Sequence, residues 1–200
     1  MTKPIILLDI DDTLNKFGSH FWELNNKLFN EKVDHNLVNE WELDKFSNRG
    51  KEVYELFKYP GLFRNIPLKE NAKEFVESLG QFAEIYIVSD SPSGNESKHG
   101  NGETGFSNPA DDKRLWVAEN LPSIPKENII FCSCKWMIEG DILVDDKPET
   151  YYKYRERNRD IILIDMPYNR HIDTKWRAKD LKQAKEMIYK ILKLRGKIAA

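Results

Sequence analysis

The chain has 200 residues, 40% of them hydrophobic and 32% charged, which is enough to bury one sizeable core and suits a single compact domain with a small insertion. A formal charge of −2 provides no global attraction to nucleic acid or anionic lipid, so an anionic ligand has to be held by local groups. No window approaches the roughly 18 apolar residues of a membrane span and the first residues lack a signal-peptide pattern, which sets the expectation of a cytoplasmic protein.

The first predicted element is a continuous aliphatic run, PIILLDI (4–10), that leads directly into DIDDTL (9–14). Four further runs of the same kind follow: EIYIVS (84–89), NIIFCS (128–133), DILVDD (141–146) and DIILIDM (160–166). They are continuously apolar and not alternating, as expected for strands covered on both faces of a parallel sheet. Between the first two runs, HFWELNNKLF, NLVNEWELDKF and GKEVYELFKY are helical in pattern and rich in aromatics. They predict a small helical insertion after the first strand.

LKENAKEFVESLG places Ala72, Phe75, Val76 and Leu79 on one face and ends on Gly80, a candidate C-terminal cap. SPSGNESKHGNGETGFSNPA (91–110) is expected to be a mobile loop, either a lid or a solvated excursion. A helix then starts with Asn108 as N-cap and Pro109 at its first position. The basic tail from Lys175 carries apolar residues at helical spacing and is read as a terminal helix docked on the sheet. Cys132 and Cys134 are read as two reduced thiols, because no second Cys or His pair completes a zinc site. None of the four histidines is assigned a catalytic role. Trp22, Trp116, Trp136 and Trp176 are read as packing residues.

Alternation of strands and helices predicts a doubly wound α/β sheet, on which ligands bind outside the carboxyl ends of the strands. Those ends carry Asp9 and Asp11, Ser89, and Asp145 and Asp146. Like charges so close together need a cation among them or a proton on one of them. An oxygen-only set of carboxylates suits Mg²⁺, which also accepts phosphate oxygens, so phosphoryl chemistry is expected. If the chain turns after Asp9, Asp11 can swing beside the substrate, and one of the two carboxylates can attack phosphorus while the other protonates the leaving oxygen. Ser89 can donate a hydrogen bond to phosphate, and Lys113 can offset the charge gathered there. Asp12 is expected to be an exposed turn or capping residue, and Asp141 only a strand start.

DIDDTL matches the D-x-D-x-T-L first motif of the haloacid dehalogenase (HAD) superfamily of phosphatases and phosphotransferases. IYIVS ending in Ser89 resembles its second motif, Lys113 its third and DILVDD its acidic fourth. Within the superfamily the chain most resembles the 5'(3')-deoxyribonucleotidases, through Phe17, the KRLWV stretch at Lys113, DILVDDKPE with Lys147 in place of arginine, and DMPYNR (165–170).

The resemblance implies a HAD-like Rossmannoid core (1–14 and 68–200) with a helical cap (15–67). It implies Asp9 as nucleophile of an aspartyl-phosphate route, and Asp11 as the acid that later activates water. Mg²⁺ would be held by Asp9, the backbone carbonyl of Asp11, and Asp146 or Asp145. Ser89, Asp90 and Lys113 would bind phosphate, with Ser91 as a rival to Ser89, and Phe17, Trp41, Phe63 and Lys147 would line the substrate pocket. The expected substrate is a (deoxy)nucleoside monophosphate. The alternatives are another small phosphate ester such as a sugar phosphate or nucleic-acid end, or a non-catalytic nucleotide-binding protein. No membrane or stable nucleic-acid partner is expected, and a homodimer is left open.

Overall fold

A computed structural model describes residues 2–93, 95–98 and 104–198. In chain order its elements are β1 (Ile5–Leu8), α1 (Phe17–Phe29), α2 (Ala72–Gly80), β2 (Glu84–Ser89), β3 (Asn95–Lys98), β4 (Thr104–Ser107), α3 (Pro109–Asn120), β5 (Ile129–Phe131), β6 (Ile142–Asp145), α4 (Pro148–Glu156), β7 (Asp160–Ile164), β8 (Arg177–Ala178) and α5 (Leu181–Leu194), joined in places by short 3-10 turns. Six strands form one parallel sheet in the order β5, β2, β1, β6, β7, β8. This is the expected α/β architecture.

The aliphatic runs are strands because the sheet is covered on both sides. Ile6, Leu8, Ile87 and Val144 face one layer built by α2, α3 and α5, through residues such as Phe75, Trp116 and Ile188. Their neighbours Leu7, Val88, Leu143 and Leu163 face the other layer, where α4 contributes Tyr151 and Tyr154. The period of two along each strand therefore distributes apolar side chains to both faces. Asn108 caps α3 as expected, its side chain accepting from Asp111 N at 3.3 Å, with Pro109 opening the helix. Asp180 caps α5 in the same way, accepting from Gln183 N at 2.7 Å. α2 does end at Gly80, but the chain leaves through Gln81 in a right-handed conformation, so Gly80 is not a left-handed cap.

Between β1 and α2 the chain leaves and returns through a narrow neck. Asn15 and Leu68 form an antiparallel bridge, Lys16 N donates to Pro67 O at 2.9 Å, and Lys69 N donates to Leu14 O at 2.9 Å. The excursion has its own apolar cluster, including Phe21, Trp22, Val53, Leu56 and Phe63. Two of its three expected helices form, α1 and a longer 3-10 helix at Gly50–Lys58. The third does not: 36–46 contains only 3-10 turns at His35–Leu37 and Leu43–Lys45. The reason is that its apolar residues do not share one buried face, since Leu37 is 70% and Trp41 44% exposed while Val38 is buried. Side chains replace helical backbone bonds here, with Asp34 accepting from Asn36 N at 2.9 Å and Tyr54 Oη accepting from Leu43 N at 3.1 Å.

The stretch 91–110, expected as a loop, contains the antiparallel pair β3 and β4, registered from Asn95 opposite Ser107 to Lys98 opposite Thr104. Residues 94 and 99–103 of that stretch lie outside the described residues. Among the described residues no helix is long and apolar enough to cross a membrane.

Gly140, just before β6, packs so closely on β1 that an added Cβ would lie 2.7 Å from Leu7 Cγ. Leu7 is buried in the sheet core and has little room to move. Gly140→Ala is therefore expected to lower stability by about 1–3 kcal/mol in urea denaturation; an unchanged midpoint would show that the sheet yields at this contact.

Candidate active site

β1 ends against a tight turn that determines where the first carboxylates go. Ile10 O accepts from Thr13 N (3.3 Å), Leu14 N (2.8 Å) and Asn15 N (3.1 Å), and Asp12 takes a left-handed conformation with φ 50°. Asp9 stays in line with the strand, its N–H donating to Val144 O at 3.0 Å, so it stands beside Asp145 at the end of β6. Asp11 is turned out toward α3. Asp12 is not the exposed residue expected from the sequence but is 6% exposed. Its Oδ1 accepts from Gly18 N at 2.9 Å, and the Lys69 ammonium lies against its carbonyl oxygen. Burial pushes its carboxyl up to about 6, even though Lys69 works in the opposite direction. Gly18 is needed for this approach, because a Cβ there would come within 3.0 Å of Asp12 Oδ2.

Asp9, Asp145 and Asp146 are all buried, and each offers a carboxylate oxygen within 4.8 Å of the others. Lys135, 3% exposed on the 3-10 turn before β6, reaches into this group. Its Nζ is 2.8 Å from Asp9 Oδ1 and 2.6 Å from Asp145 Oδ2. Burial alone would raise Asp9, but the ammonium groups of Lys135 and Lys113 outweigh it and hold the carboxyl below its ordinary value. Asp145 is raised, because burial and the neighbouring Asp9 exceed the pull of Lys135. Burial, with Asp145 and Asp9 close by, pushes Asp146 well above the ordinary carboxylate range. Lys135 is itself held strongly in its charged form: burial opposes it, but Asp145 and Asp9 prevail.

Three carboxylates against one ammonium leave an excess of negative charge in a buried site, and a divalent cation fits it. The donors are all hard carboxylate oxygens, and each retains lone pairs beyond the bonds it already accepts. Those bonds fix the side chains. Asp145 Oδ1 accepts from Lys147 N at 2.8 Å, and Asp146 Oδ1 accepts from Thr13 Oγ1 at 3.3 Å while Tyr168 Oη donates to Asp146 Oδ2. The carboxylate of Asp11 does not join the trio.

Asp11 instead pairs with Lys113, Nζ to Oδ2 at 2.6 Å, and Asn15 Nδ2 donates to its other oxygen at 3.1 Å. Lys113 Nζ also lies 3.4 Å from Ser89 Oγ and donates to Asp90 O. Ser89, Asp11 and Lys113 thus meet beside Asp9. Asp90 borders the same cavity, but its carboxylate serves the neighbouring loops, accepting from Ser91 N and Ser133 Oγ at 2.8 Å each. The hydroxyl of the rival Ser91 is turned to Pro92 O at 3.4 Å.

A cavity of about 410 Å³ opens above these groups. One wall is aromatic: Phe17 and Phe63 lie nearly parallel at 5.7 Å, with Phe57 tilted against both. Lys113 Nζ is 4.8 Å from the Phe63 ring centre, which joins the apolar wall to the polar floor. Across the mouth, Trp41 meets Tyr168 edge-on at 5.3 Å and receives Lys147 Nζ 5.3 Å from its ring centre. All four residues expected at the substrate pocket line this one cavity.

Two site residues were missed from the sequence. Lys135 lies in SCKW, an irregular stretch with no helical or strand period, yet it follows the end of β5 and so sits on the same edge of the sheet as the acidic residues. Tyr168 belongs to DMPYNR, whose turn after β7 carries no helical or strand period that would point its hydroxyl anywhere.

The family described as 5' nucleotidase, deoxy (pyrimidine), cytosolic type C matches residues 3–196. A 5'(3')-deoxyribonucleotidase of Clostridium acetobutylicum is 29% identical over 189 residues, spanning 94% of this chain and 96% of its own length. One of Bacillus subtilis is 25% identical over 169 residues, spanning 84% and 89%. Among solved structures, a HAD family hydrolase of Deinococcus radiodurans with bound phosphate and sodium superposes with a TM-score of 0.62 at 10% identity, covering 94% of this chain and 96% of its own. A haloacid dehalogenase-like hydrolase of Streptococcus pneumoniae gives 0.60 at 12% identity, covering 94% and 98%. At such identities the structures speak for the fold alone.

Lys135→Met removes the ammonium that Asp9 and Asp145 share, and is expected to cost about 3–5 kcal/mol in EDTA at pH 7.5. Without that partner both carboxyls titrate above their unfolded values, so the cost is greatest above the folded pKa and shrinks as pH falls through it. Urea denaturation of wild type and variant at pH 7.5 and pH 5 checks this, and a gap that widens at pH 5 would contradict the assignment.

Proposed function

The chain belongs to the cytosolic type C 5'-nucleotidase family, and from that membership we propose that it is a Mg²⁺-dependent phosphomonoesterase that hydrolyses (deoxy)nucleoside monophosphates. One observation carries this reading: Asp9 and Asp146, with Asp145 buried beside them, stand at the floor of a cavity whose wall is Phe17 and Phe63. A hard, acidic floor suits a metal and a phosphate, and a flat aromatic wall suits a base. The relatives named above as 5'(3')-deoxyribonucleotidases support the same substrate class.

In the proposed reaction the nucleophile is Asp9, kept ionised by Lys135 and Lys113. Its carboxylate oxygen attacks phosphorus and the ester P–O bond breaks, leaving phosphate on Asp9. Asp11, exposed to the cavity beside Lys113, gives its proton to the departing nucleoside oxygen. As a carboxylate it then takes a proton from water, which attacks phosphorus and releases Asp9 and inorganic phosphate. Ser89 and Lys113 bind the phosphate oxygens, with Asp90 holding the loop that carries Ser89. The metal would be held by Asp9, Asp145, Asp146 and the carbonyl of Asp11. When bound it supplies charge stabilisation at the phosphoryl oxygens.

Residues 15–67 act in this reading as a cap, placing Phe17, Trp41 and Phe63 over the floor while the neck at Asn15 and Leu68 joins them to the sheet. A nucleoside stacked on this wall gains from burial with little demand on the identity of the base.

The test is phosphate release from deoxy- and ribonucleoside 5'- and 3'-monophosphates and from sugar phosphates, each with Mg²⁺ and with EDTA. Release from nucleotides that stops in EDTA is expected. Asp9→Asn should lose about a thousandfold or more, and Asp11→Asn about 100- to 10,000-fold, both with wild-type folding. Turnover confined to sugar phosphates would refute the pocket assignment, and turnover by Asp9→Asn would refute the nucleophile.

A further inference from the structure

The run DMPYNR has no part in the reaction just described, yet it is bonded to the residue that follows β6 through both a side chain and the backbone. Asn169 is fully buried and every polar atom of its side chain is used. Nδ2 donates to Asp146 O and Ile164 O at 2.8 Å each, while Oδ1 accepts from Met166 N at 3.2 Å and from Arg177 Nη1 at 2.6 Å. Arg177 Nη2 also donates to Asn169 O at 2.9 Å. The turn after β7 is therefore locked against the backbone of Asp146, and Tyr168 is presented from a rigid platform.

From that platform Tyr168 faces two ways. Its hydroxyl donates to Asp146 Oδ2, and its oxygen is also 3.4 Å from Asp12 Oδ2. The only other described partner of the Asp146 carboxylate is Thr13, at the longer distance of 3.3 Å to Oδ1. Without the phenol, Asp146 could rotate about its χ2 with one weak bond to hold it. The ring of Tyr168 meets the edge of Trp41 at 5.3 Å and 83°. Trp41 is 44% exposed and belongs to the 36–46 segment that does not form a helix; its ring contacts are this one and Lys147 Nζ at 5.3 Å.

We propose that Tyr168 is a positioning residue with two separable tasks: its hydroxyl aims Asp146 at the metal, and its ring is the shelf on which Trp41 fixes the cap segment over the substrate cavity. The proposal rests on the reading that Asp146 helps to hold Mg²⁺. A partner in this position, bonded to a ligand and not to the metal, typically governs 10- to 100-fold in metal affinity. An edge-on aromatic pair contributes a smaller amount, and here it would act on substrate binding through Trp41.

The experiment is calorimetric titration of the metal-free full chain with Mg²⁺, alongside KM for a deoxynucleoside monophosphate at saturating Mg²⁺ and Tm in EDTA. Tyr168→Phe should weaken Mg²⁺ about tenfold with KM and metal-free Tm close to wild type, which a merely structural tyrosine would not do. Trp41→Leu should do the reverse, raising KM about threefold to tenfold with Mg²⁺ affinity unchanged. Tyr168→Leu should show both effects. Asp146→Asn separates the two levels of the argument. If it loses Mg²⁺ binding while Tyr168→Phe binds as tightly as wild type, the role of Tyr168 is wrong and the metal site stands. If Asp146→Asn itself binds Mg²⁺ normally, the metal assignment is wrong and the role of Tyr168 falls with it. A Tyr168→Phe variant that changes KM but not Mg²⁺ affinity also overturns the proposal.

Discussion

The carboxylates that end β1 and β6 side by side are held by the ion pairs of one buried lysine. Lys135 Nζ sits between Asp9 and Asp145 at 2.8 and 2.6 Å, in a region where neither carboxylate has free access to water. Three adjacent buried carboxylates would otherwise protonate or push the strand ends apart. With the lysine in place, β1 and β6 can be neighbours with Asp9 and Asp145 side by side, and the parallel register that places them there can form. A single ammonium does not neutralise the group, however. The raised carboxyls of Asp145 and Asp146 express the remainder, and a site with that remainder is primed for a cation.

The second constraint is the neck. The turn that follows Asp9 must reverse direction within a few residues, send Asp11 toward α3 and pass Asn15 to its bridge with Leu68. Asp12 makes this possible from the inside. Its left-handed backbone lets three N–H groups converge on Ile10 O, and its carboxylate receives the N–H of Gly18 at the start of α1. The same few residues thus terminate the strand, orient Asp11 and start the excursion that carries the aromatic wall. Trp116 adds a fixed point from α3, its indole N–H donating to Ile66 O at 2.7 Å on the return path.

How much of this was legible in the sequence follows from how local each signal is. The strands were legible because burial on both faces leaves an uninterrupted aliphatic run, and the start of α3 because Asn108 and Pro109 are local cap signals. That edge residues of separate strands would meet followed from topology, and Asp9, Asp145 and Asp146 do meet. Lys135 was not legible, because it lies in an irregular turn and its partners are fixed only by the order of strands. Asp12 was misread for a related reason: an acidic residue in a turn is normally solvated, and its burial depends on Gly18 and Lys69, which lie 6 and 57 residues away. The missing helix at 36–46 had helical spacing but no face to bury, since tertiary contacts to Tyr54 and Tyr168 win over the local pattern.

The charge balance of the site also explains why two lysines are needed. Among Asp9, Asp11, Asp145, Asp146, Lys113 and Lys135 the ionised forms carry two negative charges in excess, which one divalent cation offsets. In the proposed reaction a phosphate dianion then restores the same excess. Lys135 is committed to Asp9 and Asp145 and has no freedom to respond, whereas Lys113 holds one carboxylate, Asp11, and otherwise contacts neutral acceptors. In that reaction the substrate phosphate would share Lys113 with Asp11, the one carboxylate that Lys113 holds. Lys147, against Trp41 in the same cavity, adds a further ammonium to that set.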